Sequence, residues 1–160
     1  MATIKVNVSD QLLRLYDANE QLITEYPVST SMYGVGNREG SFKTPLGYHQ
    51  VCEKIGAGMP QDEVFIGRQA QGCLADLQAR NIPLPDDVIT ARIIRLAGKQ
   101  AGINMGDGID SFARYIYIHG TADEENISKP VSHGCIRMRN QDIIQLYEKV
   151  ELNTDVWIED

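Results

Sequence analysis

Two histidines and a cysteine lie close together in the last third of the chain, and their spacing suits nucleophilic catalysis. His119 ends an apolar run, and Cys135 follows it within the segment Ser132-His133-Gly134-Cys135-Ile136-Arg137. A thiol is a weak nucleophile until it loses its proton, and a nearby imidazole and positive charge promote that loss. Here His119 or His133 is a candidate base, and Arg137 supplies the charge. The segment therefore predicts a cysteine nucleophile at Cys135.

The backbone next to this thiol also suits acyl chemistry. Gly134 precedes Cys135, and a glycine lets the chain bend so that amide N–H groups can face a developing oxyanion. In an extended segment Cys135 and Arg137 lie on one face, because side chains two residues apart point to the same side.

A metal site is the main alternative for the same residues. His133 and Cys135 are two apart, and His119 or the pair His49 and Cys52 could complete a tetrahedral zinc site. The chain has no Cys-x-x-Cys pair, however, so we expect neither a metal nor another cofactor.

Most of the chain shows the two-residue alternation of half-buried strands. The predicted strands are Thr3–Val8, Leu12–Tyr16, Leu22–Val28, Tyr48–Cys52, Arg114–His119, Cys135–Met138 and Asp155–Ile158. The segment between the third and fourth of these is rich in glycine and is predicted to be a long loop.

Helical spacing occurs in two places. Ile89, Ile93 and Leu96 repeat as on one face of a helix, and a second helix is predicted to begin after Asn140 as its N-cap. The buried stripe of the second helix comprises Ile143, Leu146, Tyr147 and Val150. The sequence thus predicts a mainly β fold with one or two helices in a single domain over residues 1–160.

Composition excludes several classes of protein. The 160 residues carry a formal net charge of −7 and are 42% hydrophobic, which is typical of a globular chain. An acidic chain without a basic cluster is a poor partner for nucleic acid, and no apolar run could span a membrane. The odd count of three cysteines argues against a disulfide scaffold. We expect Cys52 and Cys73 to be small buried residues.

The first residues begin directly on a predicted strand and carry no basic, apolar and small-residue export pattern. We therefore expect a cytoplasmic protein, or a periplasmic or cell-envelope protein whose export segment has been removed.

The motifs resemble those of the L,D-transpeptidase catalytic domain (YkuD) family. The signature of that family is similar to His119-Gly120-Thr121 and to residues 132–140 here, and residues 26–30 and 44–47 are similar to two further family segments. The resemblance covers most of the chain and is weakest over residues 53–106. It implies a β-sandwich of mixed sheets. Ser31 stands where the family has glycine, so the loop there is expected to differ.

The resemblance also implies roles for the site residues. Cys135 corresponds to the nucleophile and His119 to the general base, while the Gly120 carbonyl would orient the imidazole. The amides of His133, Gly134 and Cys135 would line an oxyanion hole. The side chains implied to support the loop and the substrate are those of Ser132, His133 and Arg137.

Family members attack the bond before the terminal D-alanine of a peptidoglycan tetrapeptide stem and form a thioester. Water then gives trimming, the L,D-carboxypeptidase outcome, whereas an amine on a neighbouring stem gives a cross-link. Because no export pattern is visible, we expect hydrolysis of stem peptides, with cross-linking as the alternative. The family resemblance also implies acylation by carbapenems. A catalytically inactive peptidoglycan- or zinc-binding module is the alternative from another class.

Overall fold

The computed structural model describes residues 1–160 and confirms a mainly β fold, with 41% of the residues in strands. The strands are β1 Thr3–Asn7, β2 Leu12–Tyr16, β3 Leu22–Ser29, β4 Gly47–Ile55, β5 Glu63–Ile66, β6 Gln69–Cys73, β7 Ile89–Gly98, β8 Tyr117–Thr121, β9 Ile136–Met138 and β10 Asp155–Glu159. The helices are α1 Leu74–Ala79 and α2 Asn140–Lys149. Neither helix has the length and apolar character needed to cross a bilayer.

The strands form one mixed sheet with the order β4-β10-β1-β2-β3-β9-β8-β7-β5-β6. The pairs β1–β10 and β8–β9 are parallel, and the other pairs are antiparallel. An additional β4–β7 pairing joins the two ends of the main sheet. The layers expected for a sandwich are therefore hydrogen bonded into a continuous ring, from which the β5–β6 hairpin extends.

Alternating residues of the ring and one face of α2 build the main core. The predicted stripe of α2 is buried, and the helix packs against β7 and β8. The fully buried large side chains of this core are Ile4, Leu13, Leu15, Ile94, Leu96, Ile118, Ile136, Met138, Ile143 and Leu146.

The helix predicted from Ile89, Ile93 and Leu96 is wrong, because these residues belong to strand β7. That strand is buried on both faces: Ile93 packs in a small cluster with Phe65, whereas Leu96 packs in the main core. A strand covered on both sides carries apolar residues on both faces and not in strict alternation, so the apolar residues of β7 match helical spacing by chance. The β5–β6 hairpin and α1 were also absent from the prediction.

Two boundaries differ from prediction for local reasons. Strand β8 begins at Tyr117 rather than Arg114, since Tyr115 has a positive φ of 56° and breaks the extended run. Asn140 is the first residue of α2, not its N-cap. Its side chain accepts a hydrogen bond from Thr90 Oγ1 at 2.6 Å and donates one to Glu124 Oε1 at 3.0 Å.

The loop that follows β3 accommodates Ser31 without glycine-like geometry. The Ser31 amide donates to Thr44 Oγ1 at 3.0 Å, and its hydroxyl donates to the Phe42 carbonyl at 2.5 Å. Ser31 also forms an isolated parallel bridge with Ser132. Ser31 is therefore buried, and the residues around it satisfy the hydrogen-bonding groups of its amide and hydroxyl.

His49 ties the long loop between β7 and β8 to the sheet. Its Nδ1–H donates to the Gly47 carbonyl at 3.0 Å, and its Nε2 accepts from Ser111 Oγ at 2.8 Å. Burial lowers the pKa of His49 to about 4. The imidazole is therefore neutral in the folded protein at pH 7.

We expect the fold to lose stability in mild acid through His49. An unfolded histidine titrates near about 6.5, so the unfolded chain takes up the proton first as the pH falls, and the free energy of unfolding decreases. The contribution of His49 is about 3 kcal/mol between about pH 7 and about pH 4. Urea unfolding across this range measures it.

The variant His49→Gln should show a shallower dependence of stability on pH than the wild type. His133 is exposed, so His133→Gln serves as the matched control and should keep the wild-type slope. Equal slopes for all three proteins would contradict the assignment to His49.

Candidate active site

The parallel pairing of β8 and β9 gathers the predicted site residues. His119 lies opposite Arg137 in the register. Cys135 precedes Arg137 by two residues, and Tyr117 precedes His119 by two, so all four side chains lie on one face of the sheet. The opposite face carries Ile118 and Ile136 into the main core. The structure thus brings the thiol, imidazole and guanidinium into one row of neighbours.

Three side-chain or backbone hydrogen bonds shape the turn before β9. Ser132 Oγ donates to the Cys135 carbonyl at 2.6 Å and accepts from the Gly134 amide at 3.2 Å. Thr44 Oγ1 donates to the Gly134 carbonyl at 3.0 Å. Gly134 has a φ of 124°, a conformation that a residue with a Cβ rarely adopts. Ser132, which belongs to the turn, and Thr44, which does not, therefore stabilise its conformation through hydrogen bonds.

This turn determines which amides are available to an oxyanion. The Gly134 amide is already bonded to Ser132 Oγ, whereas the amides of His133 and Cys135 donate to no atom of the protein. Of the three amides implied by the family resemblance, these two are free to bind a developing negative charge.

His119 is held as a neutral acceptor. Its Nδ1–H donates to the Gly120 carbonyl at 2.6 Å, so Nε2 carries the lone pair, and that atom is buried without a hydrogen-bond partner. Burial lowers the pKa of His119, outweighing the opposite effect of nearby Asp87. Gly120 is required at its position because a Cβ there would overlap the Thr90 carbonyl oxygen and the Asn140 side chain.

The Cys135 thiol is protonated in the resting site. Burial raises its pKa to about 11, and this effect outweighs the lowering by the Tyr117 amide and by Arg137. Sγ donates to the Tyr115 carbonyl and accepts from the Tyr117 amide, each at 3.4 Å. The thiol makes no hydrogen bond to His119. The resting site therefore holds a thiol and not a thiolate, and an attack by this sulfur would require that its proton leave in the same step.

Arg137 is paired with a residue that the sequence analysis missed. Its side chain is only 8% exposed, and Nη2 lies 3.0 Å from Asp87 Oδ1. Asp123 Oδ2 lies further away, at 3.8 Å from Nη1. Asp87 comes just before β7, in the region of weakest family resemblance. The adjacent carboxylates of Asp86 and Asp87 mark this segment as charged in the sequence. Because the segment is far from β9 along the chain, the sequence did not indicate that Asp87 pairs with Arg137.

Two clefts, each of about 370 Å³, flank the row of site residues. The first is more apolar; it contains Cys135 and is also lined by Phe42, Tyr115, Ile116 and His133. The second is polar and lined by Asp86, Asp87, Asp123, Thr121 and Arg137. Because β8 and β9 run in the same direction, the first cleft lies at their start and the second towards their end.

The remaining candidate residues from the sequence analysis lie at the edge of the first cleft or outside the site. His133 is exposed and packs near Tyr33 and Phe42, with ring centroids 6.3 and 6.2 Å away. No three His, Cys, Asp or Glu side chains are close enough to share a metal ion. Cys52 and Cys73 are half-buried, so the expectation of full burial was wrong for both.

The sequence of this chain is similar to those of bacterial L,D-transpeptidases. The family model of the L,D-transpeptidase catalytic domain matches residues 1–158. A putative L,D-transpeptidase of Bacillus subtilis, YqjB, is 38% identical over 76 residues, which are 48% of this chain and 38% of that protein. A probable L,D-transpeptidase of Escherichia coli, YcfS, is 27% identical over 96% of this chain. The chain spans 42% of the length of the E. coli protein.

Solved structures share the fold. Bd1075 of Bdellovibrio bacteriovorus aligns with a TM-score of 0.60 at 20% identity, covering 99% of this chain and 47% of that one. L,D-transpeptidase 3 of Mycobacterium tuberculosis, solved with a faropenem-derived adduct, aligns with a TM-score of 0.59 at 14% identity, covering 99% and 60%.

We expect the alkylation of Cys135 to depend steeply on pH. In a Cys52→Ala/Cys73→Ala background, the rate with iodoacetamide should rise about tenfold per pH unit between about pH 7 and about pH 10, because the thiolate is the reactive form. Mass spectrometry of the labelled protein follows the rate, and Cys135→Ala should remove the labelling. A plateau near neutral pH would instead reveal a stored thiolate and contradict the assignment.

Proposed function

The chain belongs to the L,D-transpeptidase catalytic domain family, and we propose that it releases the terminal D-alanine of peptidoglycan tetrapeptide stems through a thioester on Cys135 that water resolves. The family is one of cysteine acyltransferases in peptidoglycan metabolism. One observation carries the proposal. The Cys135 thiol and the free Nε2 of His119 lie on one face of the parallel β8–β9 pair, and the turn that leads into β9 carries two unoccupied amides.

In the acylation step, His119 Nε2 accepts the thiol proton while Sγ attacks the carbonyl carbon of the scissile bond. The amides of His133 and Cys135 donate to the oxygen, on which negative charge develops. The imidazolium then gives its proton to the leaving nitrogen as the C–N bond breaks. The Gly120 carbonyl bonded to Nδ1–H stabilises the imidazolium throughout.

In the second step, a water molecule replaces the leaving amine. His119 Nε2 accepts a proton from the water while its oxygen attacks the thioester carbon, and the C–S bond then breaks. The sulfur regains its proton from the imidazolium, so the resting neutral pair is restored. The half-buried Cys135 is open to solvent through the first cleft, which supports water as the acceptor.

The second cleft has a volume of about 370 Å³ and a charged lining, and it can accept the released D-alanine in either outcome. Cross-linking requires that a second stem, attached to its own glycan strand, enter beside the thioester. Transpeptidation therefore remains the alternative that product analysis distinguishes.

We expect the protein to convert a tetrapeptide stem to the tripeptide and free D-alanine. Cys135→Ala should lower this activity by at least about a thousandfold, because the covalent route is lost. Cys73→Ala removes a thiol outside the site and should retain wild-type activity. Mass spectrometry of the products provides the measurement.

A cross-linked dimer without tripeptide would contradict hydrolysis but keep the thioester. Turnover by Cys135→Ala would overturn the nucleophile. Incubation with a carbapenem tests the thioester independently of the acceptor, because opening of the β-lactam ring should add the inhibitor mass to Cys135. The same mass shift should be absent from Cys135→Ala and present in Cys73→Ala.

A further inference from the structure

The first cleft contains an arginine that has no carboxylate partner. Arg114 lines this cleft together with Cys135, and it is half-buried. Its guanidinium forms no ion pair, whereas Arg137 is paired with Asp87. Burial lowers the pKa of Arg114, but an arginine keeps its charge at neutral pH. The catalytic steps described above leave this positive charge without a role.

The guanidinium of Arg114 binds the backbone of a loop. Nη2 donates to the Lys43 carbonyl at 2.6 Å, and Nη1 donates to the Gly36 carbonyl at 3.3 Å. The Gly36 amide in turn donates to the Thr44 carbonyl at 2.9 Å. Arg114 therefore ties both arms of the loop over residues 30–46 to the segment that precedes β8.

The carbonyl that accepts from Arg114 Nη2 lies next to the turn before β9. A Cβ on Gly134 would lie 3.3 Å from the Lys43 carbonyl oxygen, so this oxygen packs beside the Gly134 backbone. The next residue of the loop, Thr44, donates from Oγ1 to the Gly134 carbonyl at 3.0 Å. One guanidinium thus fixes the arm of the loop that carries two adjacent contacts to Gly134.

This turn, residues 132–135, is called the oxyanion turn below, and it needs support from outside. The amides of His133 and Cys135 donate to no atom of the protein, and an unpaired backbone N–H is costly unless water or a ligand binds it. Gly134 lies between them and has wide conformational freedom, so other conformations of the turn are available in which these amides point elsewhere. Contacts from the loop over residues 30–46 select the conformation that leaves both amides free.

We propose that Arg114 is a positioning residue for acyl transfer at Cys135, because it fixes the loop that supports the oxyanion turn. Its unpaired positive charge, on the wall of the same cleft, also favours the negative charge that develops on the substrate oxygen. The inference rests on the thioester step of the proposed function and applies equally to water and to an amine as the acceptor. The proton transfers remain those of His119 and Cys135.

The acylation of Cys135 by a carbapenem tests this role. Mass spectrometry gives the limiting acylation rate and, separately, the carbapenem concentration that gives half of it. In Arg114→Met, which loses the charge and the donors, the limiting rate should fall about a hundredfold, as when an oriented oxyanion donor is lost. The half-saturating concentration should change less than about threefold, because the substrate contacts are retained.

Two further variants separate positioning from a general effect on structure. Arg114→Lys keeps the charge and can donate to one of the two carbonyls, so its limiting rate should return to within about tenfold of the wild type. Arg38→Met removes the same charge from an exposed position of the same loop and should match the wild type. Urea unfolding confirms that each variant is folded.

Three results of this assay would overturn the inference. The first is a limiting rate in Arg114→Met equal to that in Arg38→Met. The second is a change confined to the half-saturating concentration, which would assign Arg114 to substrate binding. The third is an equal loss in Arg114→Lys and Arg114→Met, which would indicate packing alone.

Hydrogen exchange of the Gly134 amide, followed by NMR, examines the oxyanion turn without any reaction. This amide is bonded to Ser132 Oγ at 3.2 Å. Its exchange should be about tenfold faster in Arg114→Met than in the wild type and in Arg38→Met, because the turn opens more often without the loop contacts. If neither a carbapenem nor a stem peptide reacts with the wild type, the proposed function fails, and this measurement still decides whether Arg114 fixes the turn. Exchange at the wild-type rate in Arg114→Met would overturn the inference.

Discussion

The parallel register between β8 and β9 is the constraint on which the rest of the site depends. It sets His119 beside Arg137 and places Cys135 one pleat earlier on the same face. A shift of β9 by one residue would turn Cys135 and Arg137 away from His119 and towards the main core, and it would move Ile136 to the side of the site. Burial of the apolar residues that alternate with the site residues therefore orients the site side chains towards the opposite face of the sheet.

Burial then determines the protonation states of the pair. The imidazole is fully buried and the thiol is half-buried, and desolvation favours the neutral form of both. The positive charge of Arg137 does not offset this effect, since Asp87 lies against it. The site therefore combines a protonated thiol with an unprotonated imidazole, and in the proposed mechanism the proton moves when substrate arrives. The free amides of His133 and Cys135 would then bind the negative charge that develops on the substrate.

The region before and within β7 joins the core to the site. Ile94 and Leu96 fill the main core, Ile93 packs on the side of the site with Tyr117, and Asp87 reaches Arg137 just before the strand begins. The Asp87–Arg137 ion pair, at 3.0 Å, therefore connects the segment before β7 to the face of the sheet that carries His119 and Cys135.

The sequence by itself was sufficient for the mainly β fold, helix α2 and the candidates Cys135 and His119, because alternation, a short motif and helical periodicity are local properties. It failed for β7, where burial on both faces removed the alternation that distinguishes a strand from a helix. Only the tertiary structure showed the Asp87–Arg137 pair, the closure of the ring by β4 and β7, and the high pKa of Cys135. Each of these depends on residues distant in the chain becoming neighbours, and on the desolvation that follows, which no local pattern contains.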